Sequence, residues 1–161
     1  MVSIWRDPVT AYVAIGANLG DALQTVLQAF DALALLPDSR LTARSRLYRT
    51  APHEARGPDY VNAVAQLETR LSAPDLLDAL QALESQAGRQ RSHLNAPRTL
   101  DLDVLMYGDA RMSSPRLTLP HPRWRERAFV LYPLADVWPG CVNAEDLALV
   151  KAQAIERLPI L

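Results

Sequence analysis

The chain has 161 residues, 49% of them apolar and 22% charged, with 17 Lys+Arg against 18 Asp+Glu and a formal net charge of −1. That balance excludes a generic nucleic-acid or anionic-membrane binder, since both rely on a large positive excess. All the basic residues but Lys151 are arginines, and Lys151 stands in V-K-A, so there is no Gly-Lys-Ser/Thr phosphate loop.

In chain order, residues 11–16 (A-Y-V-A-I-G) read as a short buried strand that ends at Gly16. Asp21 opens a helix in which Leu23, Val26, Leu27, Phe30 and Leu33 recur at helical spacing, and Pro37-Asp38 stops it. Residues 41–48 alternate, with Leu41, Ala43, Ser45 and Leu47 on one face and Arg44, Arg46 and Tyr48 on the other, which predicts a half-buried strand. The run R-T-A-P-H-E-A-R-G-P-D is a loop by its prolines and glycine. Tyr60 to Thr69 alternates again: Tyr60, Asn62, Val64 and Gln66 on one face, Val61, Ala63, Ala65 and Leu67 on the other. Ser72 and Asp75 form a capping pair for a second helix with a stripe of Leu76, Leu77, Leu80, Leu83 and Ala87, and Gly88 is its expected stop.

The next run, R-Q-R-S-H-L-N-A-P-R, has no period. Residues 99–107 then alternate, with Leu100, Leu102, Val104 and Met106 facing one way and Asp101, Asp103, Leu105 and Tyr107 the other. The order β-α-β-β-α-β predicts an α+β ferredoxin-like sandwich, an antiparallel sheet with helices packed on it. From Arg116 on, Pro-punctuated segments and an amphipathic stretch, Asp146 to Leu158, are expected to decorate the same core, chiefly over 135–161. One cysteine, Cys141, excludes a disulfide framework and is expected to be a buried, inert thiol; His53, His93 and His121 have no metal-ligand spacing. No apolar run nears the roughly 20 residues that cross a bilayer, and M-V-S-I-W-R-D-P lacks a signal-peptide layout. A soluble, cytoplasmic, monomeric protein with one domain over 1–161 is expected, with no nucleic-acid or membrane partner.

The D-L-D at 101–103 is the most informative feature. Strand residues i and i+2 point the same way, about 7 Å apart, and two such carboxylates can hold divalent cations with hard-oxygen preference such as Mg²⁺. Asp is depleted in strands, so two of them in an apolar run need a reason; a solvated strand face is the plainer alternative. From Arg89 to Arg127 eight arginines stand against four acids, a local excess of +4, and guanidinium forks suit bidentate phosphate binding. Carboxylates for metal beside an arginine cluster are what a polyphosphate site needs when there is no phosphate loop. G-A-N-L-G at 16–20 is a strand-turn-helix junction that either cradles an anion or is simply a tight turn. Tyr60 and Asn62 share a strand face, where an amide could match a polar heterocycle or merely fill a sheet face. Glu84 is either a functional acid or a solvated helix charge.

Together the runs A-I-G-A-N-L-G-D (14–21), L-Y-R-T-A-P (47–52), D-Y-V-N-A-V (59–64), L-E-S-Q-A-G-R-Q-R (83–91), A-P-R-T-L-D-L-D (96–103), L-T-L-P-H-P (117–122) and R-A-F-V-L-Y-P-L (127–134) resemble, in order, the 6-hydroxymethyl-7,8-dihydropterin pyrophosphokinase family of folate biosynthesis. The resemblance implies an ATP-dependent diphosphotransferase that gives AMP and the pterin diphosphate. It implies that Asp101 and Asp103 hold two Mg²⁺ ions and that Arg89, Arg91 and Arg98 are catalytic. It places the pterin against Gly16, Thr50, Ala51, His53, Tyr60, Asn62 and Phe129. ATP, the co-substrate, is placed against Leu77, Gln81, Glu84, Arg91, Arg98, Val104, Arg116, Thr118, His121 and Arg127. The chain departs from the family pattern in a shorter loop, Ser92 to Asn95, without Lys and Arg-Trp, in Pro122 after His121 where a tyrosine occurs, and in Ala51 for a proline. A Mg²⁺-dependent phosphohydrolase using the same two aspartates and a non-catalytic ligand-binding module are the competing readings.

Overall fold

The computed structural model describes residues 6–52, 57–88 and 100–159. Its elements are β1 (Val9–Ala17), α1 (Ala22–Ala34), β2 (Ser39–Arg44), β3 (Tyr48–Thr50), β4 (Tyr60–Thr69), α2 (Ala73–Gly88), β5 (Asp101–Tyr107), β6 (Met112–Ser113), β7 (Thr118–Leu119), α3 (Ala128–Val137), α4 (Ala144–Leu149) and β8 (Ile155–Arg157). The sheet runs β5-β1-β4-β3-β8, all pairs antiparallel, with β2 and β3 taking successive stretches of the same edge of β4. The crossover from β1 through α1 therefore lands one strand beyond its neighbour, with β4 returning between, which is the expected ferredoxin-like βαββαβ arrangement.

Alternation decides which face each strand buries. Ala11, Val13, Ile15 and Ala17 of β1, Val61, Ala63, Ala65 and Leu67 of β4, and Leu102 and Val104 of β5 pack against Val26, Phe30 and Leu33 of α1 and Leu76 and Leu80 of α2. Both helices start on side-chain caps. Asp21 accepts from the Gln24 N–H at 3.1 Å and Ser72 from the Asp75 N–H at 3.2 Å, as the S-x-x-D spacing leads one to expect. On the opposite face Tyr12, Val64, Leu105 and Met106 lie beneath Ala128, Val130, Leu131 and Leu134 of α3, joined by Trp124 and Val150. No helix among the described residues is long and apolar enough to cross a membrane.

Four elements differ from expectation. The strand expected over 41–48 is broken, because at Ser45 a side chain enters the ladder: its N–H donates to the Val64 carbonyl at 2.9 Å while its Oγ accepts from the Val64 N–H at 2.8 Å. With a further one-residue shift between Leu41 and Ala43, the pleat is restored: Leu47 packs on the α1/α2 side with Leu41, and Tyr48, opposite Asn62 on the expected polar face, is buried because α3 covers it. In β5, Tyr12 pairs with Met106 and Val13 with Val104, so Leu105 is an extra residue and Met106 turns to the α3 face, away from Leu102 and Val104. The stretch Asp146 to Leu158 is not one amphipathic element. It holds the end of α4, closed at its start by an Asn143–Asp146 capping box, and then β8, which joins the sheet beside β3. Finally, α3 forms where only Pro-punctuated segments were expected, with Pro133 inside it.

Candidate active site

Residues directly opposite one another in an antiparallel pair share a face. One row across the sheet is Asp101–Gly16–Asn62–Tyr48, the next is Asp103–Ala14–Val64, and Thr50 stands opposite Tyr60 beyond Asn62. Asp101 and Asp103 are both exposed on this face while Leu102 between them is buried in the core. Gly16 keeps the floor low between the carboxylates and the amide, since a Cβ there would stand 3.4 Å from Asn62 Oδ1. Asn62 is only 4% exposed, and its Nδ2 donates to Thr50 Oγ1 at 2.8 Å, which turns Oδ1 toward Gly16.

The edge strand β5 is held from both flanks. From α2, Glu84 accepts the Leu102 N–H at 2.8 Å, the peptide group between the two aspartates. From the other side the His121 N–H donates to the carbonyl of the bulged Leu105 at 2.8 Å, which sets His121 beside Asp103. His121 Nδ1 accepts the Arg123 N–H at 3.1 Å, so the neutral ring carries its proton on Nε2. Burial lowers the His121 pKa below its ordinary value; Asp103 opposes that, and Arg127 and Arg123 reinforce it. At the start of α3 the Arg127 guanidinium lies 5.4 Å from the centroid of the Phe129 ring, which packs half-buried against the Tyr12–Val64 cluster.

Across the β5 edge, Arg116 reaches from the β6–β7 turn to α2, donating to Asp78 Oδ1 at 2.6 Å and Gln81 Oε1 at 3.3 Å. With Pro74, Leu77, Met112, Ser114, Pro115 and Leu117 it lines a cleft of about 310 Å³. Thr118 is exposed beside it, whereas the Val104 side chain is buried in the core between sheet and α2.

The expected residues thus fall into three groups. Gly16, Thr50, Tyr60, Asn62, Asp101 and Asp103 share one end of one sheet face; His121 lies near both Asp103 and Arg127; Leu77, Gln81, Glu84 and Arg116 lie on the α2 side of the same edge. Ala51 is exposed just after β3, and His53, Arg89, Arg91, Arg98 and the 92–95 loop lie outside the described residues. Among the described residues no three His, Cys, Asp or Glu side chains gather as a metal cluster; Asp101 and Asp103 are two exposed carboxylates on the site's face. Cys141 is half-buried, short of the full burial expected, and burial pushes its thiol pKa up. Sequence reasoning missed Tyr48 and Asp136. The Tyr48 hydroxyl donates to Asp136 Oδ2 at 2.8 Å, and the same oxygen accepts the Arg46 N–H at 3.0 Å. Tyr48 stands two residues before Thr50, the one signal that it shares the site's face.

Residues 12–139 match the family described as 7,8-dihydro-6-hydroxymethylpterin-pyrophosphokinase. A 2-amino-4-hydroxy-6-hydroxymethyldihydropteridine pyrophosphokinase of Pseudomonas aeruginosa is 47% identical over 92% of this chain and 96% of its own length. One of the same name from Haemophilus influenzae is 40% identical over 93% of this chain and 91% of its own. The fold is similar to that in the crystal structure of a Plasmodium falciparum HPPK-DHPS triple mutant with STZ-DHP, with a TM-score of 0.70 at 12% identity, covering 93% of this chain and 44% of that one.

Proposed function

The chain belongs to the 7,8-dihydro-6-hydroxymethylpterin-pyrophosphokinase family, and from that premise we infer that it transfers the pyrophosphoryl group of ATP to the hydroxymethyl group of the reduced pterin in folate biosynthesis. The products are AMP and the pterin diphosphate. The observation that carries this reading is the row Asp101–Gly16–Asn62, which sets a carboxylate and a buried amide on either side of an open glycine floor.

In this reading Asn62 and Thr50 read the polar edge of the pterin, and Tyr60 and Phe129 bound its faces. Arg127, already over Phe129, faces both substrates. The pterin oxygen forms its new bond to the β-phosphorus as the bond to the AMP oxygen breaks, and the hydroxyl proton is lost. Asp101 and Asp103 suit two Mg²⁺ ions: they are exposed hard-oxygen donors on one strand face, and Mg²⁺ uses one or two carboxylates with substrate phosphates completing its shell. Held by Asp101 and Asp103, such ions would supply charge neutralisation for the phosphate groups. Glu84 holds the strand that carries both aspartates. Neutral His121 presents Nε2–H as a donor to phosphate oxygen, a role that its lowered pKa supports at neutral pH. Leu77, Gln81, Arg116 and Thr118 receive the nucleoside end across the β5 edge, while Arg89, Arg91 and Arg98 meet the phosphates. The unit is one pterin pyrophosphokinase domain over 1–161, a cytoplasmic monomer acting on small molecules.

Incubating the protein with ATP, Mg²⁺ and 6-hydroxymethyl-7,8-dihydropterin tests the reading. AMP and pterin diphosphate are expected in equal amounts. Inorganic phosphate alone would replace it with a phosphohydrolase, and binding without turnover with a binding module.

A further inference from the structure

We propose that Asp136, through Tyr48 and the Arg46 backbone, is a positioning residue that sets the register of α3 on the sheet and hence the width of the slot between Phe129 and Tyr60, beside Asn62. The inference rests on the reading of that slot as the pterin site.

The geometry is that of a latch. A single carboxylate oxygen, Asp136 Oδ2, accepts from the Tyr48 hydroxyl at 2.8 Å and from the Arg46 N–H at 3.0 Å. Both donors belong to the stretch where β2 breaks and β3 begins, and Tyr48 pairs directly with Asn62. On the helix, Asp136 and Phe129 are seven residues apart, nearly two turns, so they project from the same side about 10 Å apart. Between them Tyr132 meets Tyr48, ring centroids 6.3 Å apart. The contacts run in order: Asp136 with Arg46 and Tyr48, then Tyr132 with Tyr48, which sends the first turn of α3 and Phe129 toward the Thr50 end of β3. Near that end Pro133 has no N–H to give the Phe129 carbonyl, so the helix ladder itself holds the first turn less firmly. The latch supplies an anchor that the ladder lacks. Tyr48 is buried and Asp136 exposed, so the hydrogen-bonding part of the latch can be altered from the carboxylate side without opening the core.

Steady-state kinetics and thermal melting on wild type, Asp136→Ala, Asp136→Asn and Tyr48→Phe test this. Asp136→Ala is expected to raise the pterin KM about tenfold with the Mg-ATP KM within twofold, since small misplacements of a positioned group cost one to two orders of magnitude. Asp136→Asn is expected to restore most of the loss, because one amide carbonyl oxygen can accept both donors. Tyr48→Phe removes one of the two bonds and should raise the pterin KM about threefold. An unchanged pterin KM in Asp136→Ala, equal rises for both substrates, or no rescue by Asp136→Asn would overturn the proposal. If Asp136→Ala does not fold, Tyr48→Phe decides by the same split. Wild type without pyrophosphoryl transfer would fail the pterin reading itself, a distinct result.

Discussion

The two faces of the sheet are built from the same strands to different ends. The α1/α2 face is apolar along its length: Val13, Leu67, Leu76 and Leu80 have no exposure at all. The other face is apolar only where Tyr12, Val64, Leu105 and Met106 lie under α3, and gives way to Asp101, Asp103, Gly16, Asn62, Thr50 and Tyr60 at its other end. Period-two alternation lets neighbouring residues do unrelated work, so Leu102 anchors the strand that displays the two carboxylates beside it. The chemistry therefore costs little in core packing, and the two faces should be separable by mutation. The largest effect is expected at the aspartates. Asp101→Ala or Asp103→Ala should lower kcat by about 10³-fold or more, as loss of electrostatic support at a phosphoryl centre does. Asp103 is exposed, so in Asp103→Ala the unfolding free energy should move by no more than about 0.5 kcal/mol. Parallel kinetics and urea melts check this, and a variant that keeps full turnover would contradict the metal assignment.

The apolar face should behave in the opposite way. Leu80→Ala removes a side chain with no exposure and is expected to cost about 2–5 kcal/mol of stability, transfer and cavity terms together. At low temperature, with the protein still folded, kcat and both KM values should stay near wild type. A large change in kcat per folded molecule would show that the faces are coupled.

Alternation is also why so much was legible in the sequence. In β4, Val61, Ala63, Ala65 and Leu67 against Tyr60, Asn62 and Val64 fixes faces with no ambiguity, and the same holds for Asp101 and Asp103 against Leu102 and Val104. Legibility fails where the residues on both faces are of one kind. In Val104-Leu105-Met106 all three are apolar, so the pattern reads the same with or without the bulge that turns Met106 over. In Ala128 to Leu134 the run is apolar all round, as suits a helix lying on a sheet, but Pro133 reads as a breaker and hides it. At Ser45 a hydroxyl imitates a backbone carbonyl, which periodicity does not register. The latch was hidden for another reason: Tyr48 and Asp136 are 88 positions apart, and only the folded sheet brings them together.

Gly16 sits where the two kinds of face meet. Its backbone is ordinary strand, so Gly16→Ala should leave stability unchanged or raise it by up to about 1 kcal/mol through lost unfolded-state freedom. The added methyl, 3.4 Å from Asn62 Oδ1, occupies the slot instead, and the pterin KM should rise about tenfold or more, in the range one methyl group commands in a fitted pocket. An unchanged pterin KM would mean that the substrate does not lie on this floor.

The smallest effect expected is at Tyr48, where the sheet is tied to α3. Burial first, then the hydrogen bond to Asp136 and its negative charge, raise the Tyr48 hydroxyl well above its ordinary pKa of 10.0, with Arg157 and Arg46 opposing. A group whose pKa is higher in the folded state lends its stability fully below the unfolded pKa and loses it as pH climbs toward the folded one. Below about pH 10, therefore, Tyr48 holds the latch closed in full. Above it the unfolded chain releases a proton that the folded chain keeps, and stability falls by up to about 1.4 kcal/mol per pH unit from this group alone. Urea unfolding from pH 8 to 11 should then give wild type a steeper alkaline decline than Tyr48→Phe, the two curves running parallel below pH 9. Parallel curves throughout would mean that the hydroxyl is not held in the folded state, and the tie between the sheet and α3 would have to be sought in its apolar contacts alone.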